Sequence, residues 1–181
     1  MEEEIRKLIE KFPIFQKISE EALNISKKIE DEPFSEEDKA RASVFLACDE
    51  NSCAMIRKIP KPNYKILKRA RKKTGIKPNI EAINWVDSIC REINKGENVA
   101  RTAKEILREY RKRNPADYYR YKPLTNAVAA VYIAGILCNE HIPQGELGEP
   151  FGIPSQTIRK RYKEIARKLG DYIDTQLLRY L

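Results

Sequence analysis

The residues best equipped for chemistry lie between positions 145 and 170, in GELGEPFGIPSQTIRKRYKEIARKLG. At helical spacing, Gln156, Thr157, Arg159, Lys160, Lys163 and Arg167 share one side of a helix. A glutamine amide can pair bidentately with adenine N6/N7, and a guanidinium with guanine O6/N7. Gln156 and Arg159 are therefore candidate base readers. Thr157, Lys160 and Lys163 suit phosphate oxygens, which fix register without reading sequence, and Arg167 continues the same face. The other side carries Ile158, Tyr162, Ile165 and Leu169, one buried stripe of an α-helix.

The neighbouring residues must set that helix at an angle to another. Glu146 and Leu147 open a short preceding helix, and Gly148 is small enough for a second helix to cross closely. Gly152 supplies the backbone freedom of a tight turn, and Ser155 is the expected N-cap. Helix, glycine turn and cationic helix make the outline of a helix-turn-helix DNA reader. Two residues sit awkwardly in it. Pro150 should shorten or kink the first helix. Arg161 stands where such a motif usually buries an apolar residue, and Tyr162 beside it is expected to carry the stripe instead. The competing reading is a solvated cationic face on an ordinary pair of helices.

Charge along the chain favours a polyanionic partner. The net charge is +8, but residues 1–40 hold 12 acids and 7 bases, leaving +13 for residues 41–181. Residues 57–77 hold ten basic residues and no acid. Within them Lys65, Lys68, Arg69 and Lys72, with Lys73, form a helical basic surface, while Leu67 and Ala70 are expected to face inward. Such concentration of one sign points to nucleic acid, although an acidic protein surface would satisfy it too. Tyr118, Tyr119 and Tyr121, interleaved with Arg120 and Lys122, form an aromatic–basic connector of the kind on which single-strand readers stack bases, but the favoured reading packs the rings on the core with the hydroxyls facing out. Trp85, in a stripe with Ile89 and Ile93, reads as core.

Several classes find no support. The one histidine, His141, has no second at ligand spacing, and the four cysteines make no C-x-x-C pair, so no metal site is expected. Cys48, Cys90 and Cys138 are expected to pack as small hydrophobes. There is no glycine-rich phosphate loop and no Ser–His or Cys–His pairing, so neither catalysis nor a cofactor is expected. The longest apolar run, 127–138, is short of the roughly 20 residues that span a bilayer. Three glutamates follow Met1 where a signal peptide would be basic, so an intracellular protein is expected.

Hydrophobic periodicity predicts an all-α chain with helices near 2–12, 19–31, 36–50, 63–74, 80–94, 98–113, 124–139, 144–150, 155–169 and 171–180. Proline and glycine fall between them. The segment 54–62 is too short and proline-rich for a full helix. An internal repeat divides the chain: 42–48 (ASVFLAC) aligns with 129–135 (AAVYIAG) at an offset of 87, each preceded by two amphipathic helices and followed by a turn and a basic helix. Two domains are expected, at 1–77 and 78–181. The segment 171–181, with Tyr172, Ile173, Leu177, Leu178 and Leu181, is expected to cap the second or mediate pairing.

The central A-A-x-x-Y-I-A helix (Ala129, Ala130, Tyr132, Ile133, Ala134) precedes T-I-R-K-R-Y-K-E, at Thr157, Ile158, Arg159, Arg161, Tyr162, Lys163 and Glu164. Together they resemble the second cyclin-like repeat of transcription initiation factor IIB and archaeal transcription factor B. The resemblance is specific over 124–170 and weaker over 1–75. It implies two tandem five-helix cyclin-like domains, the second ending in the helix-turn-helix. It also implies double-stranded promoter DNA and the TATA-box-binding protein as partners, with RNA polymerase beyond them. A monomer is expected, associated with the nucleoid if archaeal and nuclear if eukaryotic. The family's zinc ribbon has no counterpart here, so the chain is expected to be the C-terminal core of a longer factor or a stand-alone relative that modulates initiation. The alternative is a cyclin-box module that binds an acidic protein.

Overall fold

Two stretches of the chain are apolar on every side, and each becomes a central helix with others packed round it. The computed structural model describes residues 1–10, 16–140 and 142–177, and the chain divides into two units, Met1–Asn79 and Ile80–Leu181. Every regular element among the described residues is helical.

In the first unit, α1 (Glu2–Glu10), α2 (Gln16–Lys28) and α4 (Tyr64–Thr74) pack on α3 (Glu36–Glu50). Ser35 caps α3, its hydroxyl oxygen accepting the Asp38 N–H at 3.1 Å. Ala42, Ser43, Val44, Leu46, Ala47 and Cys48 are all buried. A 3-10 turn, Ala54–Lys58, stands where 54–62 is too proline-rich for a full helix. Asn63 then caps α4, and Gly75, in the left-handed region at φ 75°, ends it.

The second unit opens with a 3-10 turn, Ala82–Trp85, that runs into α5 (Val86–Glu92). There follow α6 (Glu97–Arg113), α7 (Pro115–Arg120), α8 (Pro123–Leu137), α9 (Gln144–Gly148), α10 (Ser155–Lys168) and α11 (Gly170–Leu177). Every residue of α8 is buried except Pro123 and Ile136. Helices α5, α6 and α10 pack round it.

The repeat is more regular than the sequence suggests. Helices α3 and α8 have the same length, and both of their ends lie 87 residues apart. The turns that follow also correspond. Ser52 and Asn139 take left-handed φ of 53° and 54°, and in each a backbone N–H (Cys53, Glu140) returns to a helix carbonyl (Cys48, Gly135) at 2.8 Å.

The structure corrects several expectations. The tyrosine-rich connector is helix α7, because Pro115 and Pro123 sit at first helical turns, where a missing N–H costs nothing, and start helices instead of breaking them. Tyr118 is buried with its hydroxyl paired, accepting the Ala82 N–H at 3.0 Å and donating to Glu81 at 3.3 Å. Burial, followed by the Glu81 charge, pushes its pKa up to about 12. On α4 the buried pair is Ile66 and Ala70, while Leu67 is half-buried. The second helix runs 16–28, three residues earlier than its apolar pattern suggests. Cys48 and Cys90 are buried as expected, but Cys138 is the half-exposed cap that ends α8, with its Sγ 3.5 Å from Thr102 Oγ1. Trp85 and Ile89 are core, with Ile93 half-buried. His141, Leu178 and Leu181 lie outside the described residues.

Candidate nucleic-acid interface

The short helix α9 ends where its sequence makes it end. Pro150 cannot continue an α-helix, and Glu149–Phe151 tightens into a 3-10 turn closed by Gly152, at φ 58°. The chain then enters α10 through Pro154. Ser155, the expected cap, is already the first helical residue, and the N-cap position falls to Pro154, whose side chain makes no capping hydrogen bond.

The two helices meet at Gly148. A Cβ there would stand 2.2 Å from the Ile153 carbonyl oxygen and 2.7 Å from Ile158 Cδ1. The glycine is thus required by contact, and its own carbonyl accepts the Ile153 N–H at 3.0 Å. Leu147, Phe151, Ile153, Ile158, Ile165 and Leu169 are buried around this crossing.

Arg161 overturns the sequence reading most sharply. It is 1% exposed, the largest fully buried side chain described, and it occupies the inward stripe between Ile158 and Ile165. Tyr162 lies beside the stripe, half-buried, with its ring 4.5 Å from that of Tyr132 on α8. Every guanidinium donor of Arg161 has an acceptor. Nε donates to Asn126 Oδ1 at 2.7 Å, Nη1 to Asp117 Oδ2 at 3.1 Å and Glu164 Oε2 at 2.8 Å, and Nη2 to the Tyr110 hydroxyl at 3.1 Å and the Asp117 carbonyl at 3.4 Å. Its plane lies over the Tyr121 ring, 3.7 Å from the centroid.

The acceptors are themselves held. Tyr110 donates its hydroxyl proton to Asp117, Lys168 reaches the same carboxylate at 3.1 Å, and Asn126 Nδ2 donates to the Tyr118 carbonyl at 2.7 Å. Burial would raise the Asp117 carboxyl, but hydrogen bonds from Tyr110, Lys168 and Arg161 outweigh it and hold the pKa at about 2. Burial and the bond to Asp117 push the Tyr110 hydroxyl up. One guanidinium therefore ties α10 to α6, α7 and α8 at once.

That tie fixes which side of α10 faces out. Gln156, Thr157, Arg159, Lys160, Lys163 and Arg167 are all exposed. Among the described residues, none of the four cations in this set forms an ion pair. The structure thus brings the six predicted residues onto one open, positively charged face.

Residues 76–168, which span α5 to α10, match the family model for the transcription factor TFIIB repeat. The chain belongs to this family. It is 30% identical over 145 residues to transcription initiation factor IIB of Pyrococcus abyssi, covering 71% of this chain and 47% of that protein. It is 36% identical over 88 residues to the factor of the same name from Methanothrix thermoacetophila, covering 49% and 26%. For that of Methanoculleus marisnigri the values are 39% over 87 residues, covering 48% and 25%. The chain thus spans between a quarter and a half of the length of these relatives.

The TFIIB repeat family is one of transcription factors. No helix among the described residues is long and apolar enough to cross a membrane, and no group of three or more His, Cys, Asp or Glu among them could hold a metal.

The second predicted cluster lies on α4, outside the residues matched by the family model. Lys65, Lys68, Arg69 and Lys72 are all exposed. They are not equivalent. Arg69 pairs with Glu32 at 3.2 Å and covers the Phe34 ring, and Lys73 pairs with Asp31 and, at 3.3 Å, with Glu32. Lys65, Lys68 and Lys72 form no ion pair among the described residues. Sequence reasoning missed Asp117, Asn126, Tyr110 and Tyr121 as the frame of the interface. A usable signal existed: Asn126 begins a run of apolar residues, and a buried amide needs partners.

Proposed function

We propose that the chain is the DNA-contacting core of a transcription initiation factor, acting on double-stranded promoter DNA together with a TATA-box-binding protein and, through the assembled complex, RNA polymerase. The observation that carries this reading is the division of labour on α10: Arg161 is consumed inside, and the outward cations are left unpaired. A solvated face held only for solubility would need no such internal anchor. Membership of the TFIIB repeat family, and relatives named transcription initiation factor IIB, support the same reading.

On this reading, Gln156 and Arg159 reach base edges in the major groove. Lys160, Lys163, Arg167 and Thr157 meet phosphates, and Lys65, Lys68, Arg69 and Lys72 add backbone contacts from the first unit. The units correspond to two cyclin-like repeats, the second bearing the reader. The test is duplex binding across a salt series. Affinity falls with salt at a log–log slope of about −0.9 per phosphate neutralised. Arg159→Ala reduces discrimination at one base pair by about 1–3 kcal/mol, whereas Lys160→Ala weakens all sequences alike and flattens the slope by about one. Binding indifferent to salt would defeat the DNA reading and leave that of an acidic protein partner.

A further inference from the structure

We infer that the groove along the outer side of α4 is a binding site for unpaired nucleotides of a DNA strand. The groove encloses about 860 Å³. Pro33, Phe34 and Tyr64 supply its apolar surface, and Lys65, Lys68 and Lys72 stand along it. Tyr64 is 72% exposed, more than any other large apolar side chain described. It contributes little to the fold from there, and its ring is open to a partner.

The cations divide in a way that suits a strand. The carboxylates of Asp31 and Glu32 are spent on Lys73 and Arg69, and Arg69 lies over Phe34, its guanidinium carbon 5.6 Å from the ring centroid. This leaves the ammonium groups of Lys65, Lys68 and Lys72 without carboxylate partners among the described residues. With a rise of about 1.5 Å per residue they stand roughly 4.5 and 6 Å apart along the helix, a row able to follow a phosphate backbone. A positive groove that tracks the backbone, beside an open aromatic face, is how proteins hold single strands.

A duplex would meet the lysines but present only sugar and phosphate to Tyr64, since its bases are stacked within. An acidic peptide would meet the lysines too, but it carries no base plane to stack on the open Tyr64 ring. The inference rests on the polyanion reading of α4 and adds to it a preference for unpaired over paired strands.

The test uses the whole chain and fluorescence anisotropy of labelled oligothymidylate, oligouridylate and a matched duplex. Tyr64→Ala is expected to weaken single-strand binding by about five- to a hundredfold, the size of one lost base–aromatic stack, and to leave duplex binding unchanged. Tyr64→Phe, which keeps the ring, retains the affinity. Tighter binding to the thymidylate supports the site, and tighter binding to the uridylate would overturn its assignment to DNA. Equal losses on strand and duplex from Tyr64→Ala would overturn the groove while leaving α4 a phosphate surface. If Lys68→Ala moved neither, the polyanion reading of α4 would fall with it. Displacement of the strands by polyglutamate that itself binds in a Tyr64-dependent way would also overturn the inference, in favour of an acidic peptide.

Discussion

Helices α4 and α10 each follow the central helix of their unit, and each turns an arginine toward an aspartate. The ways they are held differ. On α4 the inward contacts are Ile66 and Ala70, and Arg71 reaches Asp49 at 2.9 Å from a position 21% exposed. On α10 the arginine lies within the apolar stripe itself, 1% exposed and bonded to four side chains. The outer faces differ in the opposite sense. Part of the α4 charge is neutralised by Asp31 and Glu32, whereas the α10 charge is open. A helix with free outward charge repels itself and has no surface pairs to orient it, so its orientation has to come from inside. The comparison teaches that a buried charge can act as a locator for an exposed one.

The largest expected effect follows from removing the locator. Arg161→Ala leaves Asn126 Oδ1 without its donor and removes one of the two cations on Asp117, and the second unit should lose about 3–5 kcal/mol, the usual result of breaking a buried pair. Arg71→Ala removes the partner of a buried aspartate from a position that water can reach, and should cost about 1–3 kcal/mol. Denaturant unfolding of both variants measures the difference. Equal losses would dissolve the distinction between the helices.

A smaller effect, and a sharper one, comes from pH. Asp117 has a folded-state pKa of about 2, below its unfolded value near 4, so its contribution is present above pH 4 and is lost as pH falls toward 2. Asp49 is shifted the other way, raised by burial against the pull of Arg71. In its titration range the folded state holds the proton more tightly, so this group favours folding as pH falls. The difference in stability between wild type and Asp117→Asn should therefore shrink on acidification. For Asp49→Asn, the wild type should gain relative to the variant at higher pH, as pH falls through the raised folded-state value toward about 4. The same sign for both would show that the two acids sit in like surroundings after all.

The smallest effect concerns the position shared by the central helices. Lys39 and Asn126 stand 87 residues apart, both buried, and each ties its helix to a preceding carbonyl: Lys39 to Glu30 at 2.8 Å, Asn126 to Tyr118 at 2.7 Å. Lys39 also pairs with Glu36, which is 55% exposed and can turn back to water. Lys39→Met should thus change stability by about 1 kcal/mol or less. A loss as large as that from Arg161→Ala would mean that the first unit hides an anchor of the same rank.

The helical class, the 87-residue repeat and the open face of α10 were legible because each rests on periodicity, which a single sequence carries. So was Gly148, since glycine between two helices has few other uses. Arg161 was misread because its burial depends on Tyr110, Asp117, Tyr121 and Asn126, which lie 35 to 51 residues away and acquire their meaning only when packed. Helix α7 was missed for a related reason. Its six residues are too few for a period, and Pro115, like Pro123 after it, signals a start or a stop equally well. Ile66 and Leu67 are adjacent and both apolar, so only the packing against α3 decided which one is buried.

At Gly148 an added Cβ would stand 2.2 Å from the Ile153 carbonyl oxygen, so the end of α9 and the turn into α10 lie backbone against backbone, with Ile158 Cδ1 of α10 packed at 2.7 Å on the same spot. The joint behaves as a rigid bracket. If α10 enters a major groove as proposed, adjustment falls to the DNA, and sequences that bend or twist readily at that point gain affinity without any base being touched. Selectivity would then reside partly in the stiffness of the promoter.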